Sequence, residues 1–181
     1  YLDGYWQSEK YFNNTEDQIR RDFNVNIPPS DKNVRMLANI QRQTSVALHI
    51  RRGDYITNKI TNLHHGTVTL NYYQNAIKYL ISQGIKKPCF YIFSDDPIWV
   101  KQNLKLDYNT VYVNHNDRDH GYEDMRLMSH CRHFIIANST FSWWGAWLSN
   151  DLSKVVVAPK RWFNDTSINT NDLIPKKWHR L

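Results

Sequence analysis

Ser45-Val46-Ala47-Leu48-His49-Ile50-Arg51-Arg52-Gly53-Asp54 is the stretch on which the fold turns. Its first part is apolar without strict alternation, the pattern of a strand buried on both faces. It then switches at once to charge and glycine. Working outward, the switch recurs. Cys89 to Phe93 leads into Ser94-Asp95-Asp96-Pro97, and Thr110 to Val113 leads into Asn114-His115-Asn116-Asp117-Arg118-Asp119. Phe134 to Ala137 leads into Asn138-Ser139-Thr140, and Lys154 to Ala158 is closed by Pro159. Helical spacing fills the gaps. Leu70 to Gln83 predicts a helix with Asn71 as a cap and Gly84 as its stop. Asp96-Pro97 caps a helix that ends near Leu104, and Tyr122 to His130 and Phe141 to Leu148 are two more. Short strands alternating with helices predict an α/β fold, an open and mostly parallel sheet wrapped on both faces.

Before the first strand lies a different segment. Tyr1 to Pro29 is aromatic and polar, with helical spacing over Thr15 to Phe23, and Pro29-Ser30-Asp31 caps a helix reaching roughly Gln43. Residues 1–43 therefore read as a helical joining segment and residues 44–181 as a Rossmann-like domain. The whole is 181 residues, room for a sizeable core, with 41% hydrophobic and 22% charged residues. A mean hydropathy of −0.67 fits a soluble globular chain. No apolar run approaches the ~18 residues that cross a bilayer. Aromatics at 14% exclude disorder, and six Gly with six Pro exclude collagen-like and linker-like classes. The chain opens at Tyr1 with no basic-then-apolar leader, and reads as a piece of a longer protein. Cys89 and Cys131 belong to no CxxC pair, so they read as buried free thiols in a reducing compartment rather than zinc ligands.

A net charge of +6 points to anionic partners, and the sheet says where. Ligands bind beyond the carboxyl ends of parallel strands. Arg51 and Arg52 stand at one such end, where planar guanidiniums match phosphate oxygens. Asn138 to Ser142 offers hydroxyls and free N–H groups at a helix start, an anion site. Each has a bland counterpart, surface charge and helix caps, but polar groups converging from four strands on one edge favour phosphate binding.

These residues also carry a resemblance. His49-Ile50-Arg51-Arg52-Gly53-Asp54 resembles the H-x-R-R-x-D signature of fucosyltransferases. Asp124 to Cys131, followed by Ile135-Ile136-Ala137-Asn138-Ser139-Thr140-Phe141-Ser142-Trp143-Trp144-Gly145-Ala146-Trp147, is very similar to the α-1,2-fucosyltransferases, family 11 of the glycosyltransferases. Gly4 to Phe12 and Val156 to Phe163 fit the same family. The resemblance implies transfer of L-fucose from GDP-fucose to the 2-hydroxyl of a terminal galactose, with inversion and no metal. It implies the donor-binding half of a GT-B type enzyme, with the N-terminal part of a family member absent. GDP-fucose and a galactose-terminated glycan are the implied partners. The expected setting is the cytoplasm of a bacterium, peripheral at the inner face of its membrane, and unglycosylated, because the sequon at Asn138 falls in the site.

Roles follow from the resemblance and agree with the chemistry. Arg52, with Arg51, neutralises the leaving diphosphate, the order of the two being open. Asp54 is either the base for the acceptor hydroxyl or an orienter of the arginines. His49 faces the donor or is a core histidine. Asp124 reads guanine N1–H and N2–H, or is a first-turn helix acid. Asn138, Ser139, Thr140 and Ser142 bond phosphate or sugar. Asp95 and Asp96 touch ribose or cap the following helix, capping being preferred. Loops such as Thr57 to Thr67 are expected to choose the acceptor.

Other readings carry less. Asp117-Arg118-Asp119 has the D-x-D form of metal-dependent glycosyltransferases, and His130 with His133 lacks a third ligand. Arg52-Gly53-Asp54 is also an adhesive tripeptide, which needs an exposed flexible loop. Lysines and arginines are dispersed rather than striped, which speaks against nucleic acid. An inactive nucleotide-sugar-binding domain is the remaining alternative.

Overall fold

Strand β1, Ser45–Ile50, is buried at every residue because both of its edges and both of its faces are occupied. The computed structural model describes residues 7–181, so Gly4 to Trp6 of the opening motif lie outside the described residues. β1 pairs in parallel with β2, Cys89–Ser94, and with β4, His133–Ile135. Outside these lie β3, Asn109–Val113, on one side, and β5, Val156–Ala158, then β6, His179–Arg180, on the other. Among the described residues the sheet has six strands in the order β3-β2-β1-β4-β5-β6, and every pairing is parallel. This is the Rossmann-like arrangement expected from the sequence. Its order reverses between β1 and β4, the place at which open α/β sheets bind their ligands.

Helices α1 (Glu16–Asp22) and α2 (Asp31–Arg42) precede the sheet. Then come α3 (Gly53–Thr57), α4 (Lys59–His65), α5 (Leu70–Ser82), α6 (Pro97–Asn103), α7 (Gly121–Ser129) and α8 (Thr140–Leu148). The pleat sends alternate residues to opposite cores. Val46, Leu48, Ile50, Phe90 and Ile92 pack with Tyr73, Ala76 and Leu80 of α5. Ala47, Tyr91, Phe93 and Phe134 pack with Leu127 and Met128 of α7 and Trp143 and Trp147 of α8. Both cysteines are buried free thiols, as expected.

Ser30 caps α2 by accepting from Asn33 N–H, and Asp96 caps α6 by accepting from Trp99 N–H, with Pro97 in its first turn. Gly84, at φ 83°, takes the left-handed turn that ends α5. Several boundaries differ from the sequence reading. Strand β4 runs His133–Ile135 rather than Phe134 to Ala137. Thr69 rather than Asn71 caps α5, its hydroxyl accepting from Tyr72 N–H. Strand β5 begins at Val156 rather than Lys154, because the Lys154 ammonium turns back to donate to Ala146 O (2.9 Å) and Ser149 O (2.7 Å) at the end of α8. The span from Thr57 to Thr67, expected as a loop, is mostly helix α4, capped by Asn58 and stopped at Gly66 with φ 63°. Strand β6 is too short to leave a pattern in the sequence. No helix among the described residues is long and apolar enough to cross a membrane.

Candidate functional site

At the carboxyl end of β1 the chain delivers two arginines into three carboxylates. Arg51 pairs with Asp54 at 2.6 Å and with Asp95 at 3.1 Å, and its guanidinium lies 5.4 Å from the Tyr55 ring centre. Arg52 donates its backbone N–H to Asp95 (2.9 Å) and its Nε–H to Asp96 (3.2 Å). Its guanidinium lies 3.5 Å from the Trp99 ring centre, a close cation–π contact. Asp95 thus ties the end of β2 to both arginines, a part that helix-capping logic overlooked. Gly53 is needed here for space, since a Cβ on it would meet the Asp95 Oδ2 at 2.5 Å. The structure sets both arginines half-buried, with the Arg52 side chain only 19% exposed, because Trp99 and Asp96 hold it. Helix α3 starts at Gly53, so Arg52-Gly53-Asp54 is not the flexible loop that adhesion requires.

His49 is 5% exposed, its ring 5.5 Å from Phe141 and its Nδ1 without a partner among the described residues. Burial first, and then the Arg51 charge, push its pKa down to about 3. The imidazole is therefore neutral, and brings no cation to a diphosphate.

The end of β4 faces this cluster across the switch point. Tyr55 donates its hydroxyl to the Asn138 carbonyl at 3.1 Å. The Asn138 amide turns inward, donating to His65 O (2.9 Å) and Trp162 O (3.0 Å), and so clamps α4 and the segment after β5. Ser142 is fully buried and donates to Ser139 O at 3.2 Å. Ser139 stands at the N-cap of α8 without a side-chain cap bond. Exposed Thr140 donates to Gln7 at 3.0 Å. Of the four residues singled out by sequence, Ser139 and Thr140 lie at the helix start where an anion would meet backbone N–H groups, while Asn138 and Ser142 shape the loop from within.

Beyond β3 lies a cleft of about 400 Å³ lined by Ser30, Asn33, His115, Asn116, Tyr122 and Glu123, among others. Asp124, half-buried on α7, accepts 2.7 Å from the Asn116 amide of that lining. Burial pushes its pKa up to about 6, the Asn116 hydrogen bond working against it and the Glu123 charge with it. Beside it, Glu123 lies 3.2 Å from Arg126, which donates to Val25 O and Ile27 O and so fixes the approach to α2. The D-x-D triplet holds its own turn. Asp117 accepts from Asp119 N–H and His120 N–H, both at 3.1 Å, and pairs with the His120 ring. His130 bonds the Arg126 carbonyl and His133 accepts from Val155 N–H, so the two imidazoles serve separate elements. Among the described residues, no three His, Cys, Asp or Glu side chains gather as a metal site.

Residues 1–181 match the model of Glycosyl transferase family 11. The chain belongs to glycosyl transferase family 11. It is similar to an α-1,2-colitosyltransferase of Escherichia coli, with 37% identity over 98% of this chain and 61% of the relative. It is similar also to the O-antigen biosynthesis glycosyltransferase WbnK of Escherichia coli, with 40% identity over 78% of this chain and 46% of that protein. A galactoside 2-α-L-fucosyltransferase of Caenorhabditis elegans is 28% identical over 99% of this chain and 52% of its own length. The chain thus spans about half to three-fifths of these curated relatives. The six-stranded parallel sheet accords with membership of this glycosyltransferase family.

Proposed function

We propose that the protein carrying this chain transfers L-fucose from GDP-fucose to the 2-hydroxyl of a terminal galactose, with inversion at the anomeric carbon. The observation that carries the reading is the Arg51–Arg52 pair at the β1 end, facing the start of α8 across the β1/β4 switch point. In this reading the acceptor oxygen attacks the anomeric carbon from one face while the bond to GDP breaks on the other. The leaving diphosphate gathers negative charge, which fixed guanidiniums and α8 N–H groups stabilise without reorganising. Arg52 and Arg51 exchange Asp96 and Asp54 for phosphate oxygens. That exchange frees the Asp54 carboxylate, held 2.6 Å from Arg51, to take the proton of the acceptor hydroxyl. Asp124 reads guanine, accepting from N1–H and N2–H. The arginines supply the charge that a cation would otherwise bring, so no metal is required.

A second reading is transfer of colitose instead of fucose, favoured by the similarity to the α-1,2-colitosyltransferase. The test is to give the full-length protein a terminal galactoside with GDP-fucose or GDP-colitose, with and without EDTA, and to determine the linkage of the product. An EDTA-resistant α-1,2-fucosyl product supports the first reading. A colitosyl product alone supports the second. Loss of turnover in EDTA with rescue by manganese would contradict the metal-free mechanism.

A further inference from the structure

Asn33 lies on α2, before the sheet begins, yet it is 1% exposed and bonded to the far end of the site. Its Nδ2 donates to Asn116 Oδ1 at 3.0 Å, and Asn116 Nδ2 returns a bond to Asn33 Oδ1 at 3.3 Å. His115 Nε2 lies 2.7 Å from the same Asn33 Oδ1. Asn116 Nδ2 also lies 2.7 Å from Asp124 Oδ1. The direction of this chain is forced. An ionised carboxylate only accepts, so Asn116 must turn its amide N–H to Asp124. Its carbonyl oxygen then needs a donor, which Asn33 Nδ2 supplies. Asn33 Oδ1 in turn takes the Nε2–H of His115. Burial holds the His115 pKa down, which keeps the ring neutral, with one N–H to give.

We infer that Asn33 is a positioning residue for nucleobase choice: through Asn116, which lines the cleft beyond β3, it fixes the neighbouring Asp124 carboxylate, so that a base offering two adjacent N–H donors is preferred. The inference rests on the reading of Asp124 as the group that meets guanine. It gives α2 a part in donor selection that its place outside the sheet conceals. Buried polar chains of this kind specify geometry because each reversed amide would leave an acceptor facing an acceptor.

Asn33→Asp keeps the shape and removes the donor to Asn116. The experiment is calorimetric titration of GDP, ADP and UDP into full-length wild type, Asn33→Asp, Asn116→Ala and the double variant, with melting temperatures measured alongside. The expected result is a wild type that prefers GDP and an Asn33→Asp variant that loses about tenfold of that preference, the scale of a buried polar group left unmatched. The double variant should lose little more than Asn116→Ala alone, because the two substitutions break one path. A purely structural Asn33 would weaken all three nucleotides alike, and that outcome, or an unchanged GDP preference, overturns the inference while leaving the guanine reading intact. Equal binding of the three nucleotides by the wild type overturns the guanine reading and the inference with it. Should Asn33→Asp fail to fold, His115→Phe removes the outer donor instead, and is expected to narrow the GDP preference in the same direction. A His115→Phe variant with the full preference of wild type would overturn the inference equally.

Discussion

Arg52 sets the residue scale. It is a cation already bonded to Asp96 and stacked on Trp99, so a phosphate must compete for it rather than find it bare. Arg52→Lys keeps the charge but loses both the planar fork and the stack. Turnover of the full-length protein should fall by about 100-fold, the scale of one lost preorganised donor. Stability should fall modestly, by about 1 kcal/mol, for the lost contact with Trp99. Unchanged turnover in the folded variant would leave Arg52 a structural ion-pair partner. Asp124 gives a prediction in pH. Its carboxyl, raised from 3.8 to about 6, must be ionised to accept from guanine, so GDP affinity should drop as pH falls below about 6. The drop approaches tenfold per unit, and UDP should not follow it. The stability of the unliganded protein runs the other way. The folded state holds this proton more tightly than the unfolded chain, so burying the carboxylate costs stability above about 6, and that cost is relieved between about 6 and 3.8. Melting profiles over this window check the sign: as pH falls from about 6 to 3.8, Asp124→Asn should gain less stability, or lose more, than wild type. At this scale the types of the site residues were legible in the sequence, as strand ends turning polar. Their partners were not: Asp95, Trp99 and Asn33 join the site through contacts across more than 40 positions in the chain or from a separate helix, which no local pattern encodes.

At the scale of elements, the pattern of apolar runs placed β1 and β2 nearly to the residue, because strands buried on both faces read as near-continuous apolar runs. It missed α3 and α4, whose exposed Ile56, Ile60 and Leu63 give no amphipathic contrast and whose caps, Asn58 and Gly66, are also loop residues. Helix α8 shows how tightly the elements under the site are fitted. A Cβ on Gly145 would come within 2.8 Å of Met128 Cγ on α7, in a fully buried contact. Gly145→Val should therefore cost about 1–3 kcal/mol through overpacking. Denaturant unfolding should show it as a lower midpoint with an unchanged slope. If stability were unchanged, the α7–α8 contact would be looser than described, and with it the support for Ser139 and Thr140.

Over the whole molecule, the parallel sheet follows from the alternation of strand and helix and was legible in the sequence, whereas the strand order and its reversal between β1 and β4 are read only from the pairing. What the sequence conveyed less well is how the segment before the sheet serves the site. Asn33 reaches Asn116, and the backbone at Val25 and Ile27 accepts from Arg126 of α7, so α2 and the segment just before it form one wall of the cleft. In the proposed reaction a guanosine diphosphate lies along the carboxyl edge of this sheet, from the arginine pair to Asp124. Backbone hydrogen exchange of the full-length protein with and without GDP checks that placement. Exchange should slow over residues 51–57, 114–124 and 138–142, with little change in α5 on the opposite face of the sheet. Protection confined to α1, α5 or the segment after β5, with residues 51–57 and 138–142 unaffected, would contradict the placement.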